Sequence, residues 1–138
     1  MPKLDCIDHI HVYTPDRARA EEWYQRVLGL TPVKEFEYWA TKTGPLFVSN
    51  AERTIFLALF ERPAQVNRAT IAFRVTGQEF LLWREHLSKI LGDIRDVDHE
   101  GSWSVYFNDP DGNPFEITSY DYQWLAQKLK PESTKTTG

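Results

Sequence analysis

His9 and His11 sit two residues apart in His9-Ile10-His11-Val12-Tyr13, a stretch in which apolar and polar side chains alternate. Alternation of that kind marks a half-buried strand, so both imidazoles face one way, about 6.5–7 Å apart along the chain. Two chemistries are open to them: joint ligation of a metal ion, which the spacing strains, or service as hydrogen-bonded polar groups lining a cavity. Arg74 follows Thr70 and Ala72 on one face of a second alternating stretch. Its planar fork suits a substrate carboxylate or phosphate, while an ion pair with Glu116 or a place at a solvent-facing rim are the structural alternatives. Ser104 and Tyr106 share a strand face. Tyr13, Trp39, Phe56, Phe60, Trp103 and Tyr106 are candidates to line a small-molecule pocket, although a place in the core or a dimer interface is the more ordinary role for any single one. Cys6 has no readable base beside it and is expected as a buried strand residue. His86, between charged helix neighbours, and His99, in a loop beside Asp98 and Glu100, are expected at the surface.

These residues need elements to position them, and the chain supplies two sets built to one plan. At a lag of about sixty residues, the strand around His9–Tyr13 matches Thr70–Arg74 in its alternation. Each is followed by a helix-start signal: Thr14-Pro15-Asp16 puts proline at a first helical position, and Thr76-Gly77-Gln78-Glu79 reads as a capping box. Ala20, Trp23, Tyr24, Val27 and Leu28 then recur at helical spacing, as do Phe80, Trp83, Leu87, Ile90 and Leu91. Gly29 and Gly92 close the two helices as left-handed C-caps often do. Strand-like runs follow at 32–39, 46–49 and 53–60, and again at 94–98, 102–108 and 114–119, so each half reads βαβββ. Asp109-Pro110-Asp111-Gly112 is a turn between the last two strands. The expected organisation is one domain over about 1–130, with module one at about 4–62, a joint at Pro63–Asn67, module two at about 68–120 and an amphipathic helix at about 121–130. The tail 131–138 has no apolar residue and is expected to be disordered.

A chain of 138 residues with 41% hydrophobic side chains can bury a real core. Its formal charge of −4, with both signs interspersed, offers no basic stripe for nucleic acid and no cationic amphipathic face for a membrane. One cysteine excludes an internal disulfide framework, and with no readable leader the expected location is the cytoplasm.

Three stretches, in order, resemble the vicinal oxygen chelate superfamily of glyoxalase I, extradiol dioxygenases, fosfomycin-resistance transferases and bleomycin-resistance proteins. They are Ile7–Val12 followed by Trp23-Tyr24-Gln25-Arg26-Val27-Leu28-Gly29-Leu30, then Thr70–Val75, then Ser104–Ile117 with its "S-x-Y-F-x-DPDG" pattern. The resemblance implies an α+β fold whose two βαβββ modules form a half-barrel cup with helices on the outer face. It also implies a divalent ion at the cup's base, held by the first, fifth and eighth strands, usually through His, His and Glu. By motif, His9 and Glu116 occupy the first and last of these positions, as metal ligands and catalytic residues, and Thr70 stands where the second His would be. Phe56 stands where glyoxalase I has a further Glu. With His11 as a third donor the set would become two His and one carboxylate; without it, His9 and Glu116 fall short of the usual three. No cofactor is fixed by the residues, and the divalent ion, whether Zn, Fe, Mn or Ni, is expected to be weakly held.

The expected function is binding of a small organic molecule, anionic or aromatic, in a cup lined by His9, His11, Arg74 and Glu116, with Ser104 and Tyr106 matching positions that help bind the phosphonate region in the fosfomycin enzymes. The alternative is a metal-dependent lyase, isomerase, thiol transferase or dioxygenase using His9 and Glu116. Relatives of this size also imply a homodimer.

Overall fold

The computed structural model describes residues 1–63 and 65–129, so Ala64 of the joint, Lys130 of the expected last helix and the tail 131–138 lie outside the described residues. The chain divides into two compact units, Met1–Arg68 with Asp109–Asn113, and Ala69–Asn108 with the residues after Asn113. Both are built from a four-stranded mixed sheet and helices, as an α+β reading requires.

In the first unit β1 (Ile10–Thr14) leads to α1 (Arg17–Leu28), β2 (Thr31–Pro32), a 3-10 turn at Lys34–Trp39, β3 (Pro45–Ser49) and β4 (Phe56–Glu61). The sheet order is β1-β4-β3-β2, with β1 parallel to β4 and the other pairs antiparallel. Val12, Leu46, Val48, Leu57 and Leu59 alternate onto one face and are buried there, against a helix whose buried stripe is Ala20, Trp23, Tyr24, Val27 and Leu28. Each large apolar side chain so removed from water contributes roughly 1.5–3 kcal/mol before entropy is counted. Asp16, not Pro15, begins α1: its carboxylate accepts from the Arg19 amide at 3.0 Å, and Pro15 sits one residue ahead of the cap.

In the second unit β5 (Ile71–Arg74), α2 (Gly77–Leu91), β6 (Arg95–Asp98), β7 (Trp103–Asn108) and β8 (Pro114–Ser119) repeat the plan in the order β5-β8-β7-β6, and α3 (Tyr122–Leu129) follows. Thr76 caps α2 through the Glu79 amide, as its sequence signal predicts. Phe80, Leu87, Val105, Phe107, Phe115 and Ile117 form the core under α2, and Leu125 anchors α3.

Three local expectations are corrected. The run 32–39 is strand only at Thr31–Pro32; after it the chain winds into the 3-10 turn, because Val33 and Phe36 pack inward around Phe47 instead of alternating. Cys6 is exposed and outside any strand. Its would-be partner β4 starts only at Phe56, since the preceding chain turns at Arg53 (φ 58°) under the hold of the Asn50 side chain on the Thr54 and Ile55 amides. Gly29 caps α1 in the left-handed region, but Gly92 has φ 77° and ψ −81°, a positive-φ exit that is not left-handed helical.

Candidate functional site

Strand alternation sorts the candidates by face. In the first unit the face opposite α1 carries His9, His11 and Tyr13 from β1 and its approach, Phe56, Ala58 and Phe60 from β4, and Phe47 from β3. It is a surface of rings. His9 leans on Phe47 (5.1 Å between centroids), His11 on Phe60 (4.7 Å), and Phe60 on Tyr13 (5.9 Å). Trp39, at the end of the 3-10 turn, stacks on Phe36 at 4.4 Å and meets Phe47 at 5.3 Å. Arg62 lies over Phe60 and Tyr13, and Arg53 over Phe56. Among these rings the two histidines meet tip to tip, with 3.2 Å between the Nε2 atoms, and Asp8 holds His9 Nδ1 at 2.7 Å. The side-by-side placement of His9 and His11 is as their spacing predicts, and their tips come much closer than their Cα separation alone requires.

In the second unit the face opposite α2 carries Ala72 and Arg74 from β5, Glu116 and Thr118 from β8, Ser104 and Tyr106 from β7, and Arg95 from β6. The Ser104 hydroxyl bridges Glu116 (2.6 Å) and Thr118 (2.9 Å), and Thr118 reaches the Trp103 carbonyl. Tyr106 stands opposite Glu116 in the ladder; its hydroxyl meets His99 Nε2 at 2.9 Å and its ring lies under Arg95 at 4.6 Å. Desolvation first, and then the Glu116 carboxylate, push the Tyr106 phenol above its ordinary range. Arg74 is exposed, and no carboxylate among the described residues lies within ion-pair distance of it, so the alternative of an Arg74–Glu116 pair is not realised. Thr70 is exposed just before β5, beside a cleft of about 450 Å³ that Arg95, Tyr106, Asn108 and Pro114 also line.

Trp103 does not join this face. It is 7% exposed, on the opposite side of β7 from Ser104 and Tyr106, with its ring near Tyr122 of α3 at 6.1 Å. Its odd parity relative to Ser104 already required this. His99 and Arg95 were missed as site neighbours, yet folding the 95–106 segment about Glu100–Gly101 would have put Arg95 opposite Tyr106. His86 is half-buried with its ring edge-on to Trp83 at 5.5 Å, not fully at the surface.

The Asp109–Asn113 turn has structural work of its own within the first unit. Buried Asp109 accepts the Tyr24 hydroxyl at 2.6 Å, the Asn113 side-chain amide, and the backbone amides of Asp111 and Asn113, while Arg19 pairs with Asp111 at 3.0 Å. Burial first, and then the charge of Asp109, drive the Tyr24 phenol far above its ordinary value.

The sequence model of the Glyoxalase/Bleomycin resistance protein/Dioxygenase superfamily matches residues 6–117, which is most of the chain. The chain belongs to this superfamily. Its fold is similar to that of solved members. One is a lactoylglutathione lyase from Agrobacterium tumefaciens (TM-score 0.67, 23% identity, covering 89% of this chain and 98% of that one). Another is the fosfomycin resistance protein FosX from Listeria monocytogenes, complexed with Mn(II) and sulfate (TM-score 0.64, 16% identity, 92% and 99%). A third is a putative glyoxalase family protein from Bacillus anthracis (TM-score 0.66, 20% identity, 88% and 99%). At these identities the likeness carries the fold alone.

The superfamily's metal donors do not fit this chain. Thr70 supplies at most a neutral oxygen, Phe56 supplies none, and Glu116 is engaged by Ser104. Among the described residues, no three His, Cys, Asp or Glu side chains are placed to hold one ion. Among the described residues, too, no helix is long and apolar enough to cross a membrane.

Proposed function

We propose that the chain is a cytoplasmic binding member of the superfamily that holds a small anionic organic molecule on the open face of its second sheet. Arg74 receives the anionic group and Tyr106 supplies a hydrogen bond, whereas Ser104, fully buried with its hydroxyl held by Glu116 and Thr118, does not reach the ligand as expected and instead positions Glu116. The observation that carries this reading is the state of Arg74: an exposed guanidinium on the polar face of the second sheet, without a carboxylate partner among the described residues. A bidentate guanidinium contact to a ligand carboxylate or phosphonate is among the stronger hydrogen-bonded pairs available to a protein.

Thermal-shift screening and calorimetric titration with small carboxylates and phosphonates, beginning with benzoate and phenylphosphonate, test the proposal. Arg74→Gln should weaken binding by about 1.5–3 kcal/mol, the ordinary worth of a hydrogen bond to a charged group. An unchanged affinity would return Arg74 to a purely structural role.

A catalytic reading draws on a different observation, the Tyr106 phenol standing between His99 and the Glu116 carboxylate. Tyr106 and Glu116 would then exchange a proton with bound substrate. Turnover lost in Glu116→Gln while ligand affinity is kept would favour it over simple binding.

A further inference from the structure

On a regular strand, residues two apart have Cα atoms about 6.5–7 Å apart, yet the Nε2 atoms of His9 and His11 lie 3.2 Å apart. The side chains therefore lean toward each other. The contact has hydrogen-bond geometry between rings whose planes lie 20° apart, so one Nε2 carries the shared proton, which a bound ion would displace. Two imidazole nitrogens at about 2.0–2.1 Å from one ion, subtending a right to tetrahedral angle, are about 2.9–3.4 Å apart. The observed separation falls within that window.

Two further features prepare the pair for an ion. The Asp8 carboxylate at 2.7 Å from His9 Nδ1 accepts that nitrogen's proton in a hydrogen bond, which leaves the Nε2 lone pair outward. A carboxylate behind a histidine ligand is the usual way of fixing its tautomer and raising its basicity. Phe47 and Phe60 brace the two rings, so little side-chain freedom remains to be lost on binding. The pair is also reachable, since His11 is exposed and the His9 side chain is 33% exposed.

We infer that His9 and His11 form a His-x-His chelate for a borderline divalent cation, Cu²⁺ ahead of Ni²⁺ and Zn²⁺, within the first unit alone. Imidazole donors select these ions over Mg²⁺ and Ca²⁺, and their order follows the general stability series. With two protein donors the remaining coordination positions go to water. The site differs from the superfamily's arrangement in needing neither Glu116 nor position 70, and it stands independently of the anion-binding reading.

Calorimetric titration of the full chain with Ni²⁺, with Mg²⁺ as the comparison ion, tests the inference. Exposed Cys6 is a competing donor, so Cys6→Ser is measured beside the wild type. Binding should be one to one, absent for Mg²⁺, unchanged in Cys6→Ser and in Glu116→Gln, and at least tenfold weaker in His11→Ala. Paramagnetic broadening by Ni²⁺ should reach the imidazole signals of His9 and His11 and spare those of His86 and His99. The inference is overturned if no Ni²⁺ binds, if His11→Ala binds like wild type while retaining its thermal transition, or if Cys6→Ser or Glu116→Gln loses the ion.

Discussion

Tyr24 donates to a carboxylate that already receives three other hydrogen bonds, in a place where both residues are buried. Removing the hydroxyl leaves Asp109 with its other donors, so Tyr24→Phe should cost about 1.5–3 kcal/mol in chemical denaturation. The pH dependence follows from the same bond. Because the folded phenol is held far above its ordinary value of 10.0, its contribution is fully present below that value. Above it, the unfolded chain releases a proton that the folded chain keeps, and stability falls by about 1.4 kcal/mol per pH unit. Tyr24→Phe should flatten that alkaline decline, and equal slopes in the two proteins would remove Tyr24 from the account. Much at this scale was legible beforehand: the shared face of His9 and His11, and of Ser104 and Tyr106, follows from alternation alone. Asp8 was not legible, because on a regular strand the residue before His9 faces the other way. It reaches the imidazole because it lies two residues ahead of β1, which begins only at Ile10.

The α2 helix starts against α3, and Gly77 is where the two meet. A β-carbon at Gly77 would come within 2.7 Å of the Trp124 ring and 3.1 Å of the Asp121 β-carbon, while the Gly77 amide donates to Asp121 at 2.6 Å. Gly77→Ala should therefore push α3 off its seat and cost about 1–3 kcal/mol, as overpacking generally does, despite alanine's better helix propensity. Increased hydrogen exchange across Tyr122–Leu129 would show it, and unchanged protection there would contradict it. At this scale the sequence was readable where a period is long and uniform, as in α1 and β8. It misled where aromatic, strand-like residues are drawn into a local cluster: Phe36 and Trp39 wind into a 3-10 turn to reach Phe47, an outcome of tertiary packing that strand propensity does not contain.

For the whole molecule, the lag of about sixty residues between matching strands corresponds to two units with the same internal strand order, and the family followed from motifs in both. What the halves bind was less legible, because the departures at Phe56 and Thr70 take away donors without naming what replaces them. The chain is expected to form a homodimer, as the resemblance implies. Leu4 and Ile7, 99% and 79% exposed ahead of β1, add apolar surface that a partner copy could cover. Sedimentation equilibrium at micromolar concentration should give twice the 16.1 kDa chain mass, and the single-chain value would refute it. The turn Asp109–Asn113 bears on how such a chain can be divided. It lies in the second half of the sequence, yet it packs with the first unit and takes the Tyr24 hydroxyl there. A fragment ending at the joint would carry every strand of the first sheet and still lack the Asp109 carboxylate that receives the Tyr24 hydroxyl. The two repeats, however alike, therefore do not separate cleanly at the joint between them.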